Sequence, residues 1–171
     1  MQFHNPDADA FVPDGLPLDK ALARTTHMAI GAHQDDLEIM AYHGIAECFG
    51  RDDQWFTGVV ATNGAGSARS GIYERFTDEE MQQVRRREQR KAAYVGEYAC
   101  QLQLNYTSSQ VKDAKQPALR EDLVAVLQSA KNRPSPIDGY FGAVYYIGPI
   151  FTAFRGTPEA TQYYEVLERE I

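Results

Sequence analysis

Residues 27–36 read HMAIGAHQDD, an apolar run that ends in a histidine and two aspartates, and the reading of that join decides the fold. His27 to Ala32 suits a buried strand. The stretch that follows, from about Leu37 to Phe49, places Leu37, Ala41, Ile45 and Cys48 on one helical face. The opening unit is therefore strand, sharp turn, helix, with three ionisable groups at the turn.

Working outward, the charged turn GRDDQ leads into WFTGVVAT (55–62), whose β-branched and aromatic content predicts a second buried strand. NGAGSARSG (63–71) is a glycine- and serine-rich loop that continues to about Phe76. Thr77-Asp78-Glu79-Glu80 has capping-box form and opens a long helix to about Glu97. QLQLNY (101–106) alternates in polarity and gives a third strand. PALREDLVAVLQSAK (117–131) is an amphipathic helix with Leu119, Leu123, Val126, Leu127 and Ala130 inward. Ahead of these elements, residues 1–16 read as a loose arm and 17–24 as a short helix opened by Pro17.

Strands alternating with helices predict an α/β domain, a parallel sheet with helices on both faces. In such sheets, sites gather beyond the carboxyl ends of the strands, where GAHQDD and NGAGSARSG both fall. From Asn132 the character changes: NRPSPIDG is a turn-rich hinge, GAVYYIGPIF (142–151) is apolar, and 158–170 suits a closing helix. The expectation is one domain over 1–171 whose segment 132–171 diverges.

The chain has 171 residues and a formal net charge of −7, which argues against a phosphate backbone as its main partner. Cys48 and Cys100 are too few and too far apart for a disulfide framework or a CxxC motif, and read as reduced thiols. The N-terminus has no basic segment followed by an apolar one, and no apolar run approaches the ~20 residues that span a bilayer, so membrane insertion is not expected and the cytoplasm is the default.

Imidazole and carboxylate are standard zinc ligands, and a sharp turn lets residues i and i+3 converge on one ion. His33 and Asp36 have that spacing, which leaves Asp35 free to act as general base on a zinc-bound water. The competing reading is that Asp35 or Asp36 caps the following helix and His33 is an ordinary strand-end residue. Adjacent carboxylates repel unless a cation or a helix start lies near them.

AHQDDLE resembles the AHPDDE signature of the PIG-L/LmbE family of zinc-dependent N-deacetylases. The resemblance continues through VVATNGAGSARSG, similar to the family's TDG loop, and VRRREQRKAAYVG, similar to its R-x-x-E helix, over roughly residues 26–131. It implies a Rossmann-like fold, zinc on His33 and Asp36, Asp35 as general base, and Arg85 in the substrate site with Glu88 as its ion-pair partner. It also implies that Asn63, standing where the TDG loop has aspartate, binds the substrate. The implied reaction hydrolyses an N-acetyl group, often on an N-acetylglucosamine-like sugar.

Three positions depart from the pattern. Gln34 replaces the signature proline, Asn63 replaces an aspartate, and no histidine follows His43 where the family supplies another zinc ligand. Truncation or a frame shift ranks first as the explanation. An alternative ligand (Asp138, His43 or His27) and a non-catalytic sugar- or nucleotide-binding remnant remain open beside it.

NGAGSARSG lacks the P-loop lysine and reads as a flexible substrate loop, in which Arg69 could contact an anionic group but, as an exposed loop arginine, is expected to have no role. The basic run Arg85-Arg86-Arg87 with Arg90 and Lys91 reads mostly as a solvated helix face. The tyrosines of the tail suit a core or self-association, so a homo-oligomer is open and the expected partner is a small N-acetylated molecule.

Overall fold

In a computed structural model, which describes residues 1–113 and 115–131, the elements follow the alternation of the sequence. They are β1 (Asp9–Phe11), α1 (Leu18–Ala23), β2 (His27–Gly31), α2 (Asp36–Met40), α3 (Tyr42–Cys48), β3 (Phe56–Thr62), α4 (Asp78–Val95), β4 (Cys100–Tyr106), α5 (Ser108–Val111) and α6 (Ala118–Lys131). The hinge and closing helix expected after Asn132, the tail tyrosines and Asp138 lie outside the described residues.

The sheet order is β1-β4-β3-β2. β2, β3 and β4 are parallel, with Ile30 opposite Val59 and Val59 opposite Leu102, and β1 joins the outer edge of β4 antiparallel. Met28, Ile30, Val59, Ala61, Leu102 and Leu104 pack on one face against α1 and α6. Ala29, Phe56 and Val60 pack on the other against Leu37, Ala41, Ile45, Cys48 and Ala93. Helices therefore cover both faces, and the alternation of strand side chains divides the core in two.

α4 starts where the sequence says it should. Thr77 accepts from the Glu80 backbone N–H, and the Glu80 side chain answers the Thr77 N–H, satisfying two end donors reciprocally. α6 buries Leu119, Leu123, Val126 and Ala130, with Leu127 packed at the margin.

Three expectations change. The N-terminal arm is not loose. Asn5 Nδ2 donates to the carbonyls of Leu104 and Asn105 at 2.8 and 2.9 Å, and Arg90 pairs with Asp9 while its guanidinium lies 5.6 Å from the Phe11 ring. These bonds seat β1 although DAF has no strand-like pattern. The helix after β2 is interrupted at Ala41 (φ −110°, ψ 16°), yet its inward face is the expected one. Finally, every residue of β4 is buried, including Gln101 and Gln103, because α4 covers the face that alternation assigns to solvent. Among the described residues no helix is long and apolar enough to cross a membrane.

Candidate functional site

β2 stops at Gly31, and the chain turns sharply enough that a Cβ on Gly31 would stand 3.0 Å from the Asp36 Cβ. The turn is held from within. The Asp36 carboxylate accepts the His33 backbone N–H at 2.8 Å, and the same oxygen stands 3.4 Å from His33 Nδ1. The Asp36 side chain is 16% exposed and that of His33 53%. Neither aspartate caps α2 through its side chain. Both ways to offset the adjacent carboxylates are present: Asp36 stands in the first turn of α2, and Asp35 pairs with a cation of the protein's own.

That cation is Arg85. Its Nη2 donates to Asp35 Oδ2 at 2.7 Å and to the Gln34 carbonyl at 2.9 Å, and its Nη1 donates to Glu88 at 2.5 Å. Burial alone would lower the Arg85 pKa. The hydrogen bonds and charges of Asp35 and Glu88 outweigh it and hold the guanidinium above its ordinary value, so Arg85 is charged at any working pH. Arg85 reaches the turn because position 64 is glycine. Gly64 has φ +76°, and a Cβ there would stand 2.7 Å from Gln34 Oε1 and 2.8 Å from Arg85 Cβ.

Asp35 occupies the left-handed region at φ 74°, a conformation costing a non-glycine residue about 1 kcal/mol. Gln89, fully buried in α4, accepts the Asp35 N–H on Oε1 at 3.1 Å. Its amide orientation is fixed from the other end, where Nε2 donates to Glu38 at 2.9 Å and to Gln101 at 3.3 Å. The Tyr98 hydroxyl donates to the same Glu38 oxygen at 2.8 Å. Burial, reinforced by the charge of Glu38, raises the Tyr98 pKa, so the phenol keeps its proton. The Asp35 turn thus rests on a polar chain running into the core.

Gln34, in place of the signature proline, is buried and donates to the Thr62 carbonyl at 3.0 Å. A bond to the end of β3 does the stiffening that a ring would otherwise do. Asn63 is half-buried, and its Oδ1 accepts the Ala65 N–H at 3.1 Å, shaping its own loop. That loop is clamped, against expectation, and Arg69 is the clamp. It donates to the carbonyls of Ala65, Ser67 and Phe76, each at 3.0 Å, and pairs with Asp78. Of the basic run, Arg87 and Lys91 are exposed as expected, whereas Arg85 bonds Asp35, 50 residues away, and Arg86 and Arg90 bond Asp7 and Asp9 of the N-terminal arm.

Two ligands 2.0–2.2 Å from one zinc ion at a tetrahedral angle stand about 3.4 Å apart. The His33–Asp36 pair has that separation. Among the described residues no three His, Cys, Asp or Glu side chains could hold an ion together. His27 begins β2, about 13 Å of strand rise from Gly31, and bonds Thr26 and Cys48 there. Neither it nor His43 completes the set, and Asp138 lies outside the described residues.

The structure thus brings His33, Asp35, Asp36, Arg85 and Glu88 together and leaves Asn63 in the adjoining loop. Glu38, Gln89 and Tyr98 went unnoticed in the sequence. The signal for Gln89 was the row Met81, Arg85, Gln89, Ala93 along α4, where polar residues stand at core spacing.

A family model described as PIG-L, GlcNAc-PI de-N-acetylase, matches residues 28–137. A segment of 51 residues is 72% identical to a subunit of the benzoyl-CoA reductase of Thauera aromatica, covering 30% of this chain and only 12% of that protein. No solved structure matches the chain.

Proposed function

The chain belongs to the PIG-L family, and on that premise we propose that it is a zinc-dependent N-deacetylase acting on an N-acetylglucosamine-like sugar or conjugate. Membership suggests N-deacetylase or a related hydrolase activity. The narrower reading is supported by one observation, the 3.4 Å separation of His33 Nδ1 and Asp36 Oδ2 at a strand end, with the neighbouring Asp35 carboxylate held by Arg85.

When bound, zinc would supply polarisation of the amide carbonyl and a water that ionises near neutral pH. His33 and Asp36 are the residues to hold it. Asp35 takes the proton of the attacking water and returns it to the departing amine, so that the amide C–N bond breaks and acetate and an amine leave. Arg85 positions Asp35, and the loop carrying Asn63 faces the substrate, a small N-acetylated molecule met in the cytoplasm. A non-catalytic sugar- or nucleotide-binding role is the second reading, favoured by the lack of a third ligand among the described residues.

Zinc content by mass spectrometry, with acetate release from N-acetylated amino sugars, separates the two. The deacetylase reading expects about one zinc per chain, lost in Asp36→Ala, and retained zinc with a roughly 10²–10⁴-fold slower reaction in Asp35→Asn. Zinc near zero in both the parent and Asp36→Ala, without acetate, favours the binding role.

A further inference from the structure

The loop after β3 carries the chain's one Asn-Gly step, Asn63-Gly64, packed against Gln34 and Arg85 of the Asp35 turn. We propose that this step modifies itself. In the folded protein the Gly64 backbone nitrogen attacks the Asn63 side-chain amide, and the ring that forms opens to aspartyl and isoaspartyl forms, adding a negative charge to the loop. The inference stands independently of the deacetylase reading.

The chemistry balances with water alone. Gly64 N bonds to Asn63 Cγ, the Cγ–Nδ2 bond breaks, and the amide nitrogen leaves as ammonia with the proton that Gly64 gives up. Water then adds to the ring at either carbonyl. Breaking the new N–Cγ bond leaves aspartate, and breaking the older N–C backbone bond leaves isoaspartate, whose chain runs on through Cγ.

Three observations carry the proposal. The first is that the attacking nitrogen is unshielded. Any side chain at position 64 would screen it, and the packing forbids one, because φ is +76° and a Cβ would stand 2.7 Å from Gln34 Oε1 and 2.8 Å from Arg85 Cβ. The close approach that lets Arg85 reach Asp35 therefore keeps the nitrogen beside Asn63 open. The second is that this nitrogen is spare. The Asn63 N–H donates to the Tyr106 carbonyl at 2.9 Å and the Ala65 N–H to Asn63 Oδ1 at 3.1 Å, whereas among the described residues no acceptor takes the Gly64 N–H between them. Its proton can leave without breaking a bond of the fold.

The third is that the carbonyl under attack is already in place. The Ala65 bond closes a turn that holds the Asn63 side-chain amide over the Gly64 peptide, so the reacting atoms meet within one loop. The same N–H steadies the charge that gathers on Oδ1 as the nitrogen adds. Asn63 is half-buried, which leaves the ring open to the water that hydrolyses it. The aspartyl product keeps its acceptor for the Ala65 N–H, now as a charge-assisted bond. Asn5, Asn105 and Asn132 precede Pro6, Tyr106 and Arg133 instead of glycine.

The test incubates the full chain for days in mildly alkaline buffer, folded and, in parallel, unfolded in urea, and then weighs its peptides. The peptide spanning Asn63 and Gly64 is expected to exchange NH for O in mass and to split into aspartyl and isoaspartyl forms. The folded chain should convert within about tenfold of the unfolded rate, because the step needs only local rearrangement of a loop. Asn63→Gln, which keeps the amide but moves it one carbon from the Gly64 nitrogen, should hold its mass. Asn63→Asp should focus from the start at the acidic position that the parent chain reaches on ageing. A folded chain that keeps its mass while the unfolded chain gains it overturns the proposal, as does a gain that falls on another amide. So does a purely aspartyl product, or equal conversion of Asn63→Gln, since either means direct hydrolysis without attack by Gly64.

Discussion

The two faces of the sheet are built from different chemistry. Toward α1 and α6, the strands present Met28, Ile30, Val59, Leu102 and Leu104, and packing there is mostly hydrocarbon, with Tyr106 donating to the buried Asp122 and Thr57 bonded to Thr25. Toward α2, α3 and α4, β2 and β3 present Ala29, Phe56 and Val60, while β4 presents the buried Gln101 and Gln103. Gln101 accepts from Gln89, which with Tyr98 also donates to Glu38 under the Asp35 turn, and Gln103 donates to the Arg86 carbonyl. Both faces hold the fold together, and the second also positions a carboxylate. A buried amide costs more than a buried leucine unless its partners are all in place, so a sheet that accepts several on one face has been shaped by something besides stability.

The largest expected effect lies on the hydrocarbon face. Leu102→Ala should cost about 2–5 kcal/mol in denaturant unfolding, because a fully buried side chain leaves a cavity in close-packed surroundings. The site should keep its local structure, so that Asp35 amide exchange changes only as global stability falls. A loss of Asp35 protection beyond that would mean the two faces are not separable.

Gln89→Leu is the counterpart on the polar face. It conserves size and strips partners from the Asp35 N–H, Glu38 and Gln101. A cost of about 1–3 kcal/mol is expected. Unlike Leu102→Ala, it should release the Asp35 amide to exchange out of proportion to the global loss. If Leu at position 89 is neutral and Asp35 stays protected, the polar layer does not position the turn.

The hydrocarbon face was also the legible one. Val126 and Leu123 of α6 were found by period and Ile30 of β2 by its apolar run, because on that face the sequence pattern and the burial agree. On the other face they conflict. QLQLNY alternates as a half-exposed strand would, but α4 covers its glutamines, and only the pairing of Gln101 with Gln89 reveals it. The cluster of His33, Asp35, Asp36 and Arg85 was readable because its members are close in sequence or fall at fixed motif spacing. Gln89 was not, since its partners lie 54 residues before it and 12 after. β1 escaped for a similar reason: three residues carry no period, and its anchors are Arg90 and the end of β4.

The clamp on the loop gives a smaller effect. Arg69→Ala removes bonds from a side chain a quarter exposed, so global stability should fall by about 1 kcal/mol or less. Proteolysis and hydrogen exchange should accelerate between residues 63 and 77, while the apolar face is unchanged. An unchanged loop would mean that the glycine turn and the Gln34 bond fix it without Arg69.

The smallest expected effect is a pH dependence in which two histidines, one on each side of the sheet, act in opposite windows. His4 docks the N-terminal arm on α6: its Nδ1 lies 2.7 Å from the buried Asp122, which also accepts from Tyr106, and its Nε2 lies 3.2 Å from Glu121. The hydrogen bond to Asp122 leads the causes that raise the His4 pKa above 6.5. Its stabilising contribution is therefore complete below pH 6.5 and fades as pH rises through the raised value. His27, beside Cys48 and α3, has its pKa lowered, chiefly by burial and further by His43, against an opposing pull from Glu47. The unfolded chain then takes up a proton before the folded one does, and stability falls as pH drops below 6.5 toward the lowered value. Together they put the histidine-dependent maximum near pH 6.5. In unfolding measured across this range, His4→Gln should flatten the alkaline limb and His27→Gln the acid limb. A parent chain whose stability is level on both sides, or one variant that flattens both limbs, would show that the two faces do not titrate independently.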